Sequence, residues 1–214
     1  MANTYGLRER KKQRTRRALI EAAIELFERQ GYDATTVAQI AAAADVSTRT
    51  FFSYFPAKED ILFADTHDRL AAAAEAITGR APGERPADVL LRIVQRVLEP
   101  GSADVELFGR LAPVRVRLLT TTPALQGHAL RRLFEGQRRL AGDLHRAFPA
   151  DLDPVTAAAV VGSFMGALMA AAAVAVTAAG GLDALAPGRQ EEVAAQLRRA
   201  VVVPLDGIRA LETG

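Results

Sequence analysis

The sequence predicts an all-α fold of about nine helices, a small tri-helical unit followed by a larger helical one. Three observations predict it. Apolar residues recur at helical spacing through most of the chain; Leu19, Ala22, Ala23, Leu26 and Phe27, at i, i+3, i+4, i+7 and i+8, form one face of a helix. No run shows the apolar–polar alternation of a half-buried strand. Proline, glycine and small capping residues punctuate the chain at helix-length intervals, without an internal repeat. At 214 residues, 50% hydrophobic and 24% charged, the chain is large and apolar enough to bury a core.

The elements follow in order. Ile20 and Ile24 widen the apolar face of the first helix, which ends at Arg29-Gln30-Gly31, a basic last turn followed by a glycine stop. Thr35 or Thr36 caps a second helix over 37–44, and Asp45-Val46 turns the chain. Ser47 caps a third helix that runs to Tyr54 and stops at Phe55-Pro56. A fourth helix starts at Pro56-Ala57-Lys58-Glu59-Asp60, with acids in its first turn where the helix dipole favours them, and runs to Gly79. After a Pro/Gly-rich loop at 80–85, helices are expected at 86–98, 103–119, 123–148, 154–179 and 188–211. Asp153-Pro154 is a cap followed by an N1 proline. Pro113 and Pro204 are expected to kink or interrupt their helices. The chain thus divides into a basic arm (1–12), a tri-helical unit (13–57) and a larger helical domain (58–214).

Composition removes several classes of function. There is no cysteine, which excludes disulfides, thiolate metal sites, cysteine nucleophiles and a thiol redox switch. His67, His128 and His145 share no i, i+3 or i, i+4 spacing, so no metal is expected, and no cofactor either. With no G-x-S-x-G or comparable nucleophile motif, an enzyme is not expected. Residues 1–17 are polar and basic with no apolar run behind them, unlike a signal peptide. Residues 154–182 carry no charge and are long enough to cross a bilayer. They are alanine-rich, flanked by Asp151, Asp153 and Asp183, and bordered by no aromatic belt, so burial in a bundle or oligomer interface is the expected role. The alternative is a membrane-associated sensor that uses 154–182 as its span.

Charge is informative only when divided. The total of 27 basic and 25 acidic residues nearly cancels. Residues 1–17 hold Arg8, Arg10, Lys11, Lys12, Arg14, Arg16 and Arg17 against Glu9, a net +6 that leaves −4 on the rest. Behind this arm, residues 36–55 have the pattern of a helix-turn-helix. Ala38, Ala41 and Ala42 let the third helix pack close across the second. Ile40, Val46, Phe51 and Phe55 close a small core with Leu26 and Phe27, which leaves Thr48, Arg49, Phe52, Ser53 and Tyr54 on the outer face. Such a helix fits the major groove, with its N-terminal residues at base edges. Beside it, a mobile basic arm suits phosphate attraction and minor-groove entry; by itself it would be no more than a solvated terminus.

Residues 35–62 (TTVAQIAAAADVSTRTFFSYFPAKEDIL) resemble the DNA-binding signature of the TetR (tetracycline repressor) family, and Ala22-Ala23-x-x-Leu26-Phe27-x-x-x-Gly31-Tyr32 resembles that family's first helix. The likeness covers about the first 70 residues. Two features depart from it: Asp45, where the family usually has glycine, and the bulky pair Phe51-Phe52. Aspartate tolerates left-handed geometry, so the turn is expected to survive.

The resemblance implies a homodimeric repressor, cytoplasmic and bound to the bacterial nucleoid, that sits on a palindromic operator and is released by a small-molecule effector. Membrane contact is not implied. Thr36 and Lys58 match phosphate-contacting positions, and Thr48, Arg49 and Tyr54 match recognition-helix contacts. Ser47, Ser53 and the arm residues Arg8, Arg10, Lys11 and Lys12 complete the DNA-binding candidates. Each has a plainer reading: Thr36 as an N-cap, Lys58 as a balance for Glu59 and Asp60, Tyr54 as core.

The resemblance also implies that the last two helices form a four-helix bundle across a two-fold axis. Gly162, Gly166, Ala170 and Ala173 are the residues expected to permit close approach, with Val193, Leu197 and Val201 packing beside them; burial within one subunit is the alternative. Candidate pocket residues are Phe108, Leu111, Leu118, Leu133, Phe134, Phe164, Met165 and Met169, with Arg115, Arg117 and His128 to orient a polar ligand; the plainer reading is core for the apolar ones and solvated surface for the polar ones. A DNA-binding helical protein without a ligand is the remaining alternative.

Overall fold

The computed structural model describes the backbone of residues 3–97, 103–181 and 190–211; within these, the side chains of 3–5, 7, 67, 68, 97, 103–110, 190, 191 and 209–211 are not described. Among the described residues there is no strand. The helices are α1 (Asn3–Gln30), α2 (Val37–Ala43), α3 (Thr48–Tyr54), α4 (Ala64–Thr78), α5 (Pro86–Val97), α6 (Ala103–Thr121), α7 (Pro123–Ala147), α8 (Pro154–Ala178), α9 (Gln190–Ala200) and α10 (Val202–Leu211). A 3₁₀ turn, Lys58–Phe63, precedes α4. Counted as one helix interrupted at Val201, α9 and α10 bring the total to the nine expected. The expected ends at 98 and at 188–189 lie outside the described residues.

The breaks have local causes. Pro204 has no N–H for the Ala200 carbonyl, and its ring crowds that carbonyl, so α9 stops at Ala200. Pro113 does not interrupt α6, which runs through it while Leu111, Val114 and Leu118 are buried around it. The fourth helix opens as a 3₁₀ turn rather than an α-helix. Asp60 Oδ2 accepts the Ala57 N–H at 2.9 Å, and its other oxygen is drawn into contacts with α7.

The N-terminal arm differs most from expectation. It is not a separate mobile tail: α1 begins at Asn3 and carries the basic residues on a continuous 28-residue helix. Arg, Lys, Gln and Glu are good helix formers, and i, i+4 contacts (Arg10 Nε to Gly6 O at 3.1 Å, Gln13 Nε2 to Glu9 Oε1 at 3.1 Å) support the extension. Gly31 ends α1 at φ 84°.

Two main cores result. The first unites α1 (Leu19, Ile20, Ile24, Phe27), α2 (Ile40), α3 (Phe51) and Phe55 with Ile61 and Leu62 of the 3₁₀ turn and Leu111, Val114 and Leu118 of α6. The tri-helical unit is therefore seated on α6 through α1, not tethered by α4 alone. The second core joins α4, α5, α7, α8 and α10 through residues such as Ile77, Leu90, Leu144, Phe164 and Leu205. Each fully buried side chain of this size contributes about 1.5–3 kcal/mol.

Candidate DNA-binding surface

The surface is built on two capped helices. Thr36 is the N-cap of α2, in extended conformation, and its Oγ1 accepts the Gln39 N–H at 3.2 Å. Gln39 Oε1 accepts the Thr36 N–H in return at 2.9 Å, which closes a capping box. Thr35 is buried instead, donating to the Gly31 carbonyl at 2.7 Å. Sequence left the two threonines open as caps; burial decides between them.

The turn closes as a Schellman motif. The Asp45 N–H reaches Ala42 O at 3.1 Å and the Val46 N–H reaches Ala41 O at 2.9 Å, with Asp45 left-handed at φ 54°. Val46 then packs on the first core. This fixes where α3 starts. Ser47 caps it by accepting the Thr50 N–H at 3.0 Å.

Phe51 is fully buried, so the opposite face of α3 is held outward: Thr48, Arg49, Phe52 and Ser53 are exposed. Ser53 Oγ donates to Thr50 O at 2.6 Å. Among the described residues no hydrogen bond or ion pair ties down the Arg49 guanidinium. Phe52, 54% exposed, stands edge-on to Phe51 at 5.4 Å and adds an apolar element to the same face. Tyr54 is half-buried and packs on the core, close to its plainer reading. Arg8, Arg10, Lys11 and Lys12 are exposed on α1.

Lys58 does not stand free, and its hydrogen bonds go to the backbone rather than to Glu59 or Asp60. Its Nζ donates to Tyr32 O at 2.6 Å and to Thr35 O at 2.8 Å, and lies 3.9 Å from the Tyr32 ring centroid. Burial lowers its pKa, while Asp33 and Glu59 act in the opposite direction. Two of its three N–H donors are thus committed to the α1–α2 loop. Burial and the Glu59 carboxylate together push the Tyr32 phenol far upward, so it stays neutral.

Sequence reasoning missed two buried carboxylates, Asp60 and Asp65. The available signal is a pair of acids enclosing an apolar run, Ile61-Leu62-Phe63-Ala64. Their partners explain two of the pocket candidates. Arg115 Nη1 donates to Asp65 Oδ1 at 2.8 Å. His128 Nε2 lies 3.2 Å from Asp60 Oδ1 without hydrogen-bond geometry; that oxygen accepts a hydrogen bond from Arg132. Arg115 thus ties α6 to α4, while His128 Nε2 is buried beside Asp60 without a hydrogen-bond partner among the described residues.

The other pocket candidates are dispersed. Leu111 and Leu118 belong to the first core, and Phe164 to the second with Met165 packed against it. Phe134, at 64% exposed, and Met169 face outward, while Leu133 is half-buried and Arg117 exposed. The side chain of Phe108 lies outside the described residues. Two surface cavities lie elsewhere. One of about 620 Å³ is framed by the loops 80–86 and 147–151, and one of about 330 Å³ lies between α8 and α10.

The dimer candidates divide. Val193 and Leu197 are buried within the chain where α9 packs its apolar face onto α8, and Val201 is buried in the second core. Ala170 and Ala173 are exposed; Gly162 and Gly166 are half-buried, yet a Cβ at either would meet nothing within 4 Å. α8 is long and apolar enough to cross a membrane by length and composition, and only 22% of its most apolar window is buried within the chain.

Known proteins share this architecture. Residues 19–64 match the family model of bacterial regulatory proteins, tetR family. The chain is 39% identical over 153 residues to the HTH-type transcriptional regulator TcmR of Streptomyces glaucescens, which covers 71% of this chain and 68% of that protein. It is 52% identical over 48 residues to the HTH-type transcriptional regulator HbdR of Aromatoleum sp. (strain CIB), 22% of this chain and 21% of that one. Thermus thermophilus FadR, a TetR-family transcriptional repressor solved in complex with lauroyl-CoA, superposes with a TM-score of 0.54 at 25% identity, over 90% of this chain and 94% of that one. With a capped helix-turn-helix, an exposed recognition helix and likeness extending well past the head, the chain belongs to the TetR family of helix-turn-helix transcriptional regulators.

Proposed function

We propose that the chain is a homodimeric repressor, acting in the cytoplasm on a palindromic operator and released from it by a small-molecule effector. The observation that carries the DNA part is the outward face of α3. Thr48, Arg49 and Ser53 are exposed there, the arginine unpaired among the described residues, on a helix whose other face is locked by Phe51. Arginine forks are suited to guanine, hydroxyls to phosphate or base edges. Thr36 and Ser47, at helix N-termini, and the exposed Arg8, Arg10, Lys11 and Lys12 supply backbone contacts. The lauroyl-CoA bound to the FadR relative supports a small-molecule effector.

The test is binding to a duplex selected from a random-sequence pool, followed by anisotropy. Arg49→Ala is expected to cost about 1–3 kcal/mol and to relax selectivity at one base position. Wild-type affinity with unchanged selectivity would remove Arg49 from the interface. A thermal-shift screen then identifies the effector by stabilisation of the folded state.

A further inference from the structure

Asp60 sits where the DNA-binding head meets α7, and it faces both. Its Oδ2 accepts the Ala57 N–H at 2.9 Å, which holds the 3₁₀ turn in shape. Its Oδ1 accepts a hydrogen bond from Arg132 Nη2, far along the chain on α7. His128, one helical turn before Arg132, brings Nε2 to 3.2 Å from the same oxygen without hydrogen-bond geometry, its ring 5.4 Å from that of Phe63. Two residues before Asp60, Lys58 donates to the carbonyls of Tyr32 and Thr35. Thr35 adjoins Thr36, the N-cap of α2. A short, doubly bonded turn therefore links a side chain of α7 to the helix end that approaches phosphate.

We propose that Arg132 is a positioning residue for DNA binding: by clamping Asp60 it sets, through the 3₁₀ turn and Lys58, where the N-terminus of α2 stands against the phosphate backbone. The inference rests on the DNA-binding reading and not on the effector. The planar guanidinium suits this task because it fixes direction as well as charge. Arg132 is part-exposed, so its worth lies in geometry more than in net stability. Lys58 acts in the same chain of interactions, with its ammonium directed at loop carbonyls.

Anisotropy titrations with the selected duplex, across about 50 to 200 mM salt, separate positioning from direct phosphate neutralisation, because each phosphate left without its cation lowers the log–log salt slope by about 0.9. Arg132→Met is expected to weaken binding about tenfold with the slope unchanged, and Arg132→Lys, which keeps the charge without the planar fork, to recover only part of the affinity. Arg131→Met, the exposed neighbour on α7, serves as the control for a general decrease in charge. Combining Arg132→Met with Lys58→Met is expected to cost little more than the stronger single change, since both act through one turn. Thermal melts check that each variant is folded; if Arg132→Met melts below the assay temperature, Arg132→Leu, which also removes every donor to Asp60, is titrated in its place. Wild-type affinity in Arg132→Met, a slope lower by about 0.9, or strict additivity with Lys58→Met overturns the proposal. An unaltered chain that selects no duplex overturns the DNA-binding reading itself; an unaltered chain that binds, with indistinguishable variants, overturns only this inference.

Discussion

Asp45 is the one non-glycine residue at positive φ among the described residues, at 54°. An L-residue in that region costs about 1–2 kcal/mol, less for aspartate, whose side chain finds local partners. Glycine removes the Cβ penalty, so Asp45→Gly is expected to stabilise the chain by about 0.5–1 kcal/mol and raise the melting midpoint by a few degrees, with DNA affinity unchanged. A lower midpoint would show that the aspartate side chain supports the turn. Glu84 offers a pH test. It accepts hydrogen bonds from Arg92 Nε at 3.0 Å and Nη2 at 2.8 Å, and these bonds, against the opposing effect of burial, hold its pKa below the ordinary 4.5. A depressed carboxylate contributes stability above its unfolded value and loses it as pH falls through the folded one. Glu84→Gln is therefore expected to melt below the unaltered chain at neutral pH, with the gap closing as the buffer is taken below 4.5. A gap that persists in acid would mean that shape, not charge, is what the glutamate supplies. At this scale the type of chemistry was legible and its partner was not. Lys58 reads as a cation beside two acids, and only packing shows it directed at the Tyr32 and Thr35 carbonyls.

At the scale of elements, α2 and α3 stand where capping residues and Gly31 predict them, because caps and stops act through hydrogen bonds only a few residues long. The arm and the fourth helix were less legible. Runs of Arg, Lys and Gln are compatible with helix or with solvated coil, and continuity with a buried α1 tips the balance to helix. This places Arg8, Arg10, Lys11 and Lys12 on a semi-rigid rod. Removal of residues 1–12 is expected to weaken binding to all duplexes alike and to lower the salt slope by about 0.9 for each phosphate those residues neutralise. A truncated chain with an unchanged slope would show that the basic extension neutralises no phosphate. The 3₁₀ turn at Lys58–Phe63 has no such local signal; it follows from the Asp60 carboxylate being held between Ala57 and α7.

At the scale of the whole molecule, the described residues leave an apolar face on α8 and α10 exposed. Val155 on α8 is 77% exposed and Val203 on α10 is 76% exposed, and open space lies over Gly162, Gly166 and Gly207. In the homodimer proposed above, a second copy related by a two-fold axis would cover such a face isologously and bring two heads to half-sites about 34–36 Å apart. Val155→Glu combined with Val203→Glu is expected to convert a dimer to a monomer in light scattering and to weaken operator binding strongly, while the far-ultraviolet circular dichroism stays helical. A dimer that survives both changes would move the interface elsewhere. Sequence alone determined the helical class, the helix-turn-helix and the uneven charge, since the helical pattern is written in spacings of about three or four residues. Tertiary structure decided which apolar stripes face inward: α9 turns Val193 and Leu197 onto α8, while Val155 of α8 and Val203 of α10 stay exposed. It also decided that Arg115, His128 and Arg132 meet Asp65 and Asp60. The reason is range. Backbone hydrogen bonds and i, i+4 pairs are set by neighbours in the chain, whereas partners for a stripe or a charge are chosen among elements tens of residues away, by shape and by the cost of burying a charge unpaired.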